Sequence, residues 1–134
     1  MNGGDTIQAG GGGDSINVTG HGAADTFIYA TTSDSLNIST GHDTITGFAA
    51  SGGSFSDLLD FSGLNNGSLT VVGQVASGST IAANSIAWVN LGATDMVYVN
   101  DTNSALASNS ASLMEITLSG VTGSLTSANI KLHA

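Results

Sequence analysis

The chain of 134 residues contains no cysteine and no proline. Without cysteine there is neither a disulfide framework nor a thiolate metal site. A single cationic side chain, Lys131, stands against ten carboxylates, for a formal net charge of −9. Nucleic-acid backbones and anionic lipid surfaces both call for clustered Lys and Arg, so neither is an expected partner. No apolar run approaches the length of a membrane span, and no membrane insertion is expected. The opening Met1-Asn2-Gly3-Gly4-Asp5 lacks the basic and apolar regions of a secretory signal peptide.

Charged residues make up only 8% of the chain, yet hydrophobic residues reach 40% and glycine occupies 19 positions. Disordered chains usually combine low hydrophobicity with high charge, so this composition points to a packed core. Weak charge with abundant Gly, Ser and Thr favours strands and turns over helices, and an all-β fold is the expectation. Ser68–Val72, Ser85–Val89, Met96–Val99 and Met114–Leu118 are short β-branched runs separated by polar turns. Thr126 to Ile130 fits one helical turn. Trp88, Phe48, Phe55 and Phe61 read as core residues of this later part.

The carboxylates are not scattered. Asp5, Asp14, Asp25, Asp34 and Asp43 follow one another at intervals of 9, 11, 9 and 9 residues. Each is followed two positions later by an apolar residue: Ile7, Ile16, Phe27, Leu36 and Ile45. This is an internal repeat of turn, Asp, polar, apolar, polar. A strand this short cannot bury its apolar side chain alone, so successive units must stack. If each unit is half a coil, alternate units share a side, and Asp5 stands near Asp25 and Asp14 near Asp34. Carboxylates brought together repel, and one must take a proton unless a cation sits between them. Glycines ahead of Asp5, Asp14 and Asp25 permit positive φ and can turn carbonyl oxygens toward a common centre. An oxygen-only donor set suits a hard cation, Ca²⁺ rather than Mg²⁺. The expected ligands are Asp5, Asp14, Asp25, Asp34 and Asp43 with backbone oxygens of Gly3, Gly10, Gly11, Gly12, Gly20 and Gly22.

Other readings weigh less. An isolated Gly-Gly-Gly-Asp is simply a turn, but five in-register units are hard to produce by turns alone. A phosphate-cradling loop fails because no Gly-Lys-Ser/Thr follows. His21, His42 and His133 lack the helical pairing or Cys partner of a transition-metal site. Asp57 and Asp60 could form a catalytic carboxylate pair, but no nucleophile or base motif accompanies them. They read as turn and strand-start residues, and the chain is not expected to be an enzyme.

Ala9-Gly10-Gly11-Gly12-Gly13-Asp14-Ser15-Ile16-Asn17 resembles the GGxGxDxUx nonapeptide of the RTX parallel β-roll, a Ca²⁺-binding repeat. Asn2 to Gln8 is similar to the tail of a preceding unit. Gly20-His21-Gly22-Ala23-Ala24-Asp25-Thr26-Phe27-Ile28-Tyr29 resembles the segment that ends such rolls, with Ala23 where the family has Gly, and the resemblance implies the Ala23 carbonyl as a further Ca²⁺ ligand. Asp34-Ser35, Asp43 to Phe48 and Asp57 to Ser62 resemble the series in RTX C-terminal domains, with Gly47 in place of an Asp. Residues 113–130 are similar to the final strands of those domains.

The resemblance implies a β-roll over residues 1–45 and a β-rich cap over 46–134 carrying a C-terminal signal for a type I secretion exporter. Such domains occur in serralysin-type proteases and bacterial S-layer proteins. It further implies a secreted, extracellular or cell-surface bacterial protein, of which this chain would be the calcium-binding secretion target and folding nucleus. A calcium-dependent surface-assembly or adhesion module, self-associating at the cell exterior, is the alternative. A non-catalytic accessory domain of a protease or polysaccharide-modifying enzyme is a third reading. The start in mid-repeat leads us to expect further repeats upstream. Fixing a Gly-rich backbone costs about 1–2 kcal/mol per residue, so residues 1–45 are expected to fold only when Ca²⁺ supplies the balance.

Overall fold

A computed structural model describes residues 2–38, 40–64 and 68–133. The fold is all-β, with no α-helix among the described residues. Among the described residues, twelve strands are distributed over three sheets. Strands β1 (Thr6–Ile7), β3 (Thr26–Ile28), β5 (Leu58–Asp60) and β12 (Ile130–Lys131) form one sheet in that order, every neighbour parallel. A second sheet runs β2 (Ser15–Asn17), β4 (Asp43–Thr46), β11 (Met114–Ser119), β9 (Thr94–Asn100), β8 (Ser85–Asn90) and β6 (Thr70–Gln74). In it β2, β4 and β11 are parallel neighbours, whereas β11–β9 and β9–β8 are antiparallel. The first five strands alternate between these two sheets.

Side-chain register follows from the repeat. Ile7 aligns with Phe27, Phe27 with Leu59 and Leu59 with Ile130, giving one apolar row across the four-stranded sheet. Ile16 aligns with Ile45, and Ile45 with Leu118, across the other. Both rows feed one core with Phe48, Phe61, Trp88, Val97 and Met114, so the early repeats and the later strands share sheets and interior. Each two- or three-residue strand contributes one central side chain, which is why stacking and not strand length carries the burial.

Leu36 departs from the expected series. Its segment makes no strand, only an isolated bridge to Met114, and the preceding Thr32–Asp34 is a 3₁₀ turn. A smaller cluster of Ile81, Ala87 and Leu113 lies apart from the main core. Strands β7 (Thr80–Ile81) and β10 (Leu106–Ala107) pair antiparallel beside it. Trp88, Phe48 and Phe61 are buried, as expected of core residues. Phe55 is half-buried and packs its edge on the His21 ring, with ring centroids 4.9 Å apart.

Candidate functional site

The repeat's carboxylates gather into two rows of turns. In the first, Asp5, Asp25 and Asp57 immediately precede β1, β3 and β5. Asp25 Oδ1 accepts the Asp5 backbone N–H at 2.8 Å, and Asp57 Oδ1 accepts the Asp25 N–H at 2.8 Å. Asn129, immediately before β12, continues the row by donating its Nδ2 to the Asp57 carbonyl at 2.9 Å. Asp25 and Asp57 thus each satisfy a backbone donor of the neighbouring coil, where the parallel ladder has not yet begun. A hydrogen bond to a charged group of this kind contributes about 1.5–3 kcal/mol.

The second row differs from the expected pairing. Asp14 meets Asp43, not Asp34: the Asp14 N–H donates to Asp43 Oδ1 at 2.8 Å, across 29 residues. The segment between β3 and β4 holds the 3₁₀ turn, and Asp34 is used there, accepting from the backbone of Ala30 and Thr31 at 2.8 and 3.1 Å. Ser35 fills the next position of the row. Its hydroxyl accepts from the Asp43 N–H at 2.7 Å and donates to the Glu115 carbonyl.

The glycines predicted as ligands occupy the outer turns. Gly3, at φ 95°, lies so close to the next coil that a Cβ there would sit 2.5 Å from backbone atoms of Ala23. Only glycine tolerates both demands. Gly22 donates its N–H to the Asn2 carbonyl at 2.9 Å, tying the same two turns together. Gly11, Gly12, Gly20, Gly22 and Ala23 are exposed, and Gly10 is half-buried. Asp5 is exposed and Asp14 half-buried, whereas Asp25, Asp34 and Asp43 are buried.

The two rows are chemically distinct. In the first, the second oxygen of Asp25 is held by His21, with Nδ1 to Oδ2 at 2.7 Å, and His21 Nε2 lies 3.5 Å from Asp57 Oδ2. Asp57 Oδ2 also accepts the Ala49 N–H at 2.8 Å. Burial pushes the Asp57 carboxyl above its ordinary value, against the backbone N–H groups of Asp25 and Ala49 that favour its charge. An imidazole nitrogen inside this row does not match the all-oxygen set expected for calcium.

In the second row Asp14 Oδ2, Asp43 Oδ2 and the Tyr29 hydroxyl are buried and none makes a hydrogen bond of good geometry, although the Tyr29 hydroxyl lies beside the Asp43 carboxylate. Burial raises the Asp43 carboxyl, while the Asp14 N–H and the neighbouring Tyr29 hydroxyl favour its ionised form. Tyr29 is raised strongly, first by burial and then by the Asp43, Asp34 and Asp14 charges around it. These orphaned atoms are all oxygen, and two belong to carboxylates. That donor set fits Ca²⁺.

Asp57, His21, Tyr29, Ser35 and Asn129 were not among the predicted ligands. Asp57-Leu58-Leu59 carries the repeat's own Asp–x–apolar unit, a signal hidden by the longer turn before it. No family description matches the chain, and no curated protein matches it significantly.

Proposed function

We propose that this chain is a calcium-stabilised, non-catalytic β-roll and cap domain of a secreted bacterial protein, serving as its type I secretion target and folding nucleus. The observation that carries the reading is the trio of buried, unpartnered oxygens on Asp14, Asp43 and Tyr29. Unsatisfied buried polar atoms are costly, and a charged pair of them more so. A Ca²⁺ ion at this corner would engage Asp14 and Asp43, with Tyr29 alongside. It would join coils that are far apart in sequence and remove their repulsion. Alternation of β1 to β5 between two sheets, in parallel register, supports the roll.

Binding that requires the folded coils is folding free energy. Where calcium is scarce, as in a cytosol, the coils stay open and the chain can thread an exporter. Outside the cell, abundant calcium closes them. Amide hydrogen exchange in chelator and in excess Ca²⁺ tests this. Protection of β2, β3 and β4 should rise with calcium while β8 and β9, embedded in the later antiparallel part, stay protected in both. Equal protection of β2 to β4 in the two conditions would reject the proposal.

A further inference from the structure

We infer that His21, Asp25 and Asp57 form a separate binding site for a borderline divalent transition metal, of the Zn²⁺ or Co²⁺ kind. Their candidate ligand atoms lie within 4.8 Å of one another, and they are the only such group of three among the described residues. All three side chains are almost wholly withdrawn from solvent, His21 at 4% and both aspartates at 0%. They come from two turns, and only stacking of the coils assembles them. The site goes beyond the calcium reading and does not rest on it.

Orientation of the ligands is already fixed. Asp25 Oδ1 is anchored by the Asp5 N–H and Asp57 Oδ1 by the Asp25 N–H, which leaves the two Oδ2 atoms on the His21 side. Phe55 holds the imidazole ring at its edge. Outer contacts of this sort orient metal ligands and sharpen affinity. Charge points the same way. A protonated His21 would leave two buried carboxylates facing one positive charge, whereas a divalent ion with neutral imidazole balances both.

One nitrogen and two carboxylate oxygens suit zinc-like ions better than calcium, which prefers oxygen alone. A cavity of about 310 Å³, lined by His21 with Thr19, Gly47, Ala49 and Phe55, borders the group and gives an ion a way in. It also leaves room for a water as a fourth ligand.

Cobalt and zinc titrations of the full chain, metal-stripped and then held in excess calcium, test the inference. One equivalent of Co²⁺ should bind with visible d–d absorption that Zn²⁺ abolishes and calcium does not. His21→Ala should weaken Zn²⁺ binding by more than about 100-fold, beyond the usual effect of an outer contact. His133→Ala, at an exposed histidine outside both rows, should leave it unchanged. Zinc-edge X-ray absorption of the unmodified chain should show one imidazole among oxygen ligands, a readout that needs no folded variant. Absence of stoichiometric Co²⁺ binding, a cobalt spectrum surviving His21→Ala, or a zinc shell without imidazole each overturns the site. Loss of the calcium response with cobalt binding retained would remove the calcium proposal and leave this one standing.

Discussion

Asp43→Asn separates a structural carboxylate from a metal-binding one by the sign of its effect. Asp43 is fully buried; its Oδ1 accepts the Asp14 N–H and its Oδ2 has no partner. An amide keeps the Oδ1 acceptor and places a donor beside Asp14 Oδ2 and the Tyr29 hydroxyl, both able to accept. Without metal, the substitution removes a desolvated charge and adds a hydrogen bond, a gain of about 1–2 kcal/mol. With calcium, the same change removes a ligand. A site filled at 100 times its Kd contributes about 2.7 kcal/mol, so the variant should then be less stable by about 1 kcal/mol. For a domain of this size the corresponding shifts in Tm are about +3 to +7 °C in chelator and about −3 °C in calcium. Thermal unfolding followed by far-UV circular dichroism reads both. A shift of the same sign and size in the two buffers would refute the reasoning, because it would make Asp43 a hydrogen-bonding group and nothing more.

Other expectations rest on single contacts. Ser35→Ala strands the buried Asp43 N–H and the Glu115 carbonyl together, a loss of about 2–4 kcal/mol in urea unfolding; an effect below about 0.5 kcal/mol would mean that Ser35 is not a rung of the row. Gly3→Ala places a Cβ 2.5 Å from the Ala23 backbone, so β1 should lose amide protection. Gly4→Ala, at φ 76° but with nothing within 4 Å, should cost only about 1–2 kcal/mol. Asp95 and Glu115 are both raised, chiefly by burial. The folded chain therefore holds their protons to higher pH than the unfolded chain. Their contribution to stability is present at acid pH and falls as pH rises through the ordinary carboxylate range toward neutrality. Asp95→Asn should accordingly raise Tm at pH 7.5 in chelator and leave it nearly unchanged at about pH 4; an equal shift at both would exclude titration as the cause.

Much of the early fold was legible because one rule, Asp followed two places later by an apolar residue, coincides with one physical demand. Ile7, Ile16, Phe27 and Ile45 all face the interior at the strand centres this rule marks. The alignment of Asp5 with Asp25 also follows from counting. Counting failed at Asp34 because a turn can absorb a whole unit without changing the register around it. The 3₁₀ turn at Thr32–Asp34 hydrogen-bonds internally, and the described residues between Asp34 and β4 add no strand. Asp57 was hidden for the same reason in reverse, since the turn ahead of β5 is long while its rung is regular. His21 was invisible to any sequence spacing: its second partner lies 36 positions away, by residue number, and meets it only through stacking.

The rungs also show why carboxylates, and not amides, recur. Accepting the N–H of the coil beneath requires only one oxygen, which an amide side chain would also supply. An aspartate brings a second oxygen and a charge, both expensive to bury. At Asp25 and Asp57 that second oxygen is turned toward His21. At Asp14 and Asp43 it is left without a hydrogen-bond partner. At Asp25 and Asp43 the ladder's hydrogen bonds therefore explain one oxygen, and the other is left for a positive charge. Replacing Asp25, Asp43 and Asp57 together by Asn separates the two halves. With the buried charges gone, coil stacking should form even in chelator, with rungs made of amides, while every metal-dependent gain in stability disappears. Amide exchange and calcium titration of the triple variant read the two outcomes independently, and a metal response undiminished in that variant would break the argument.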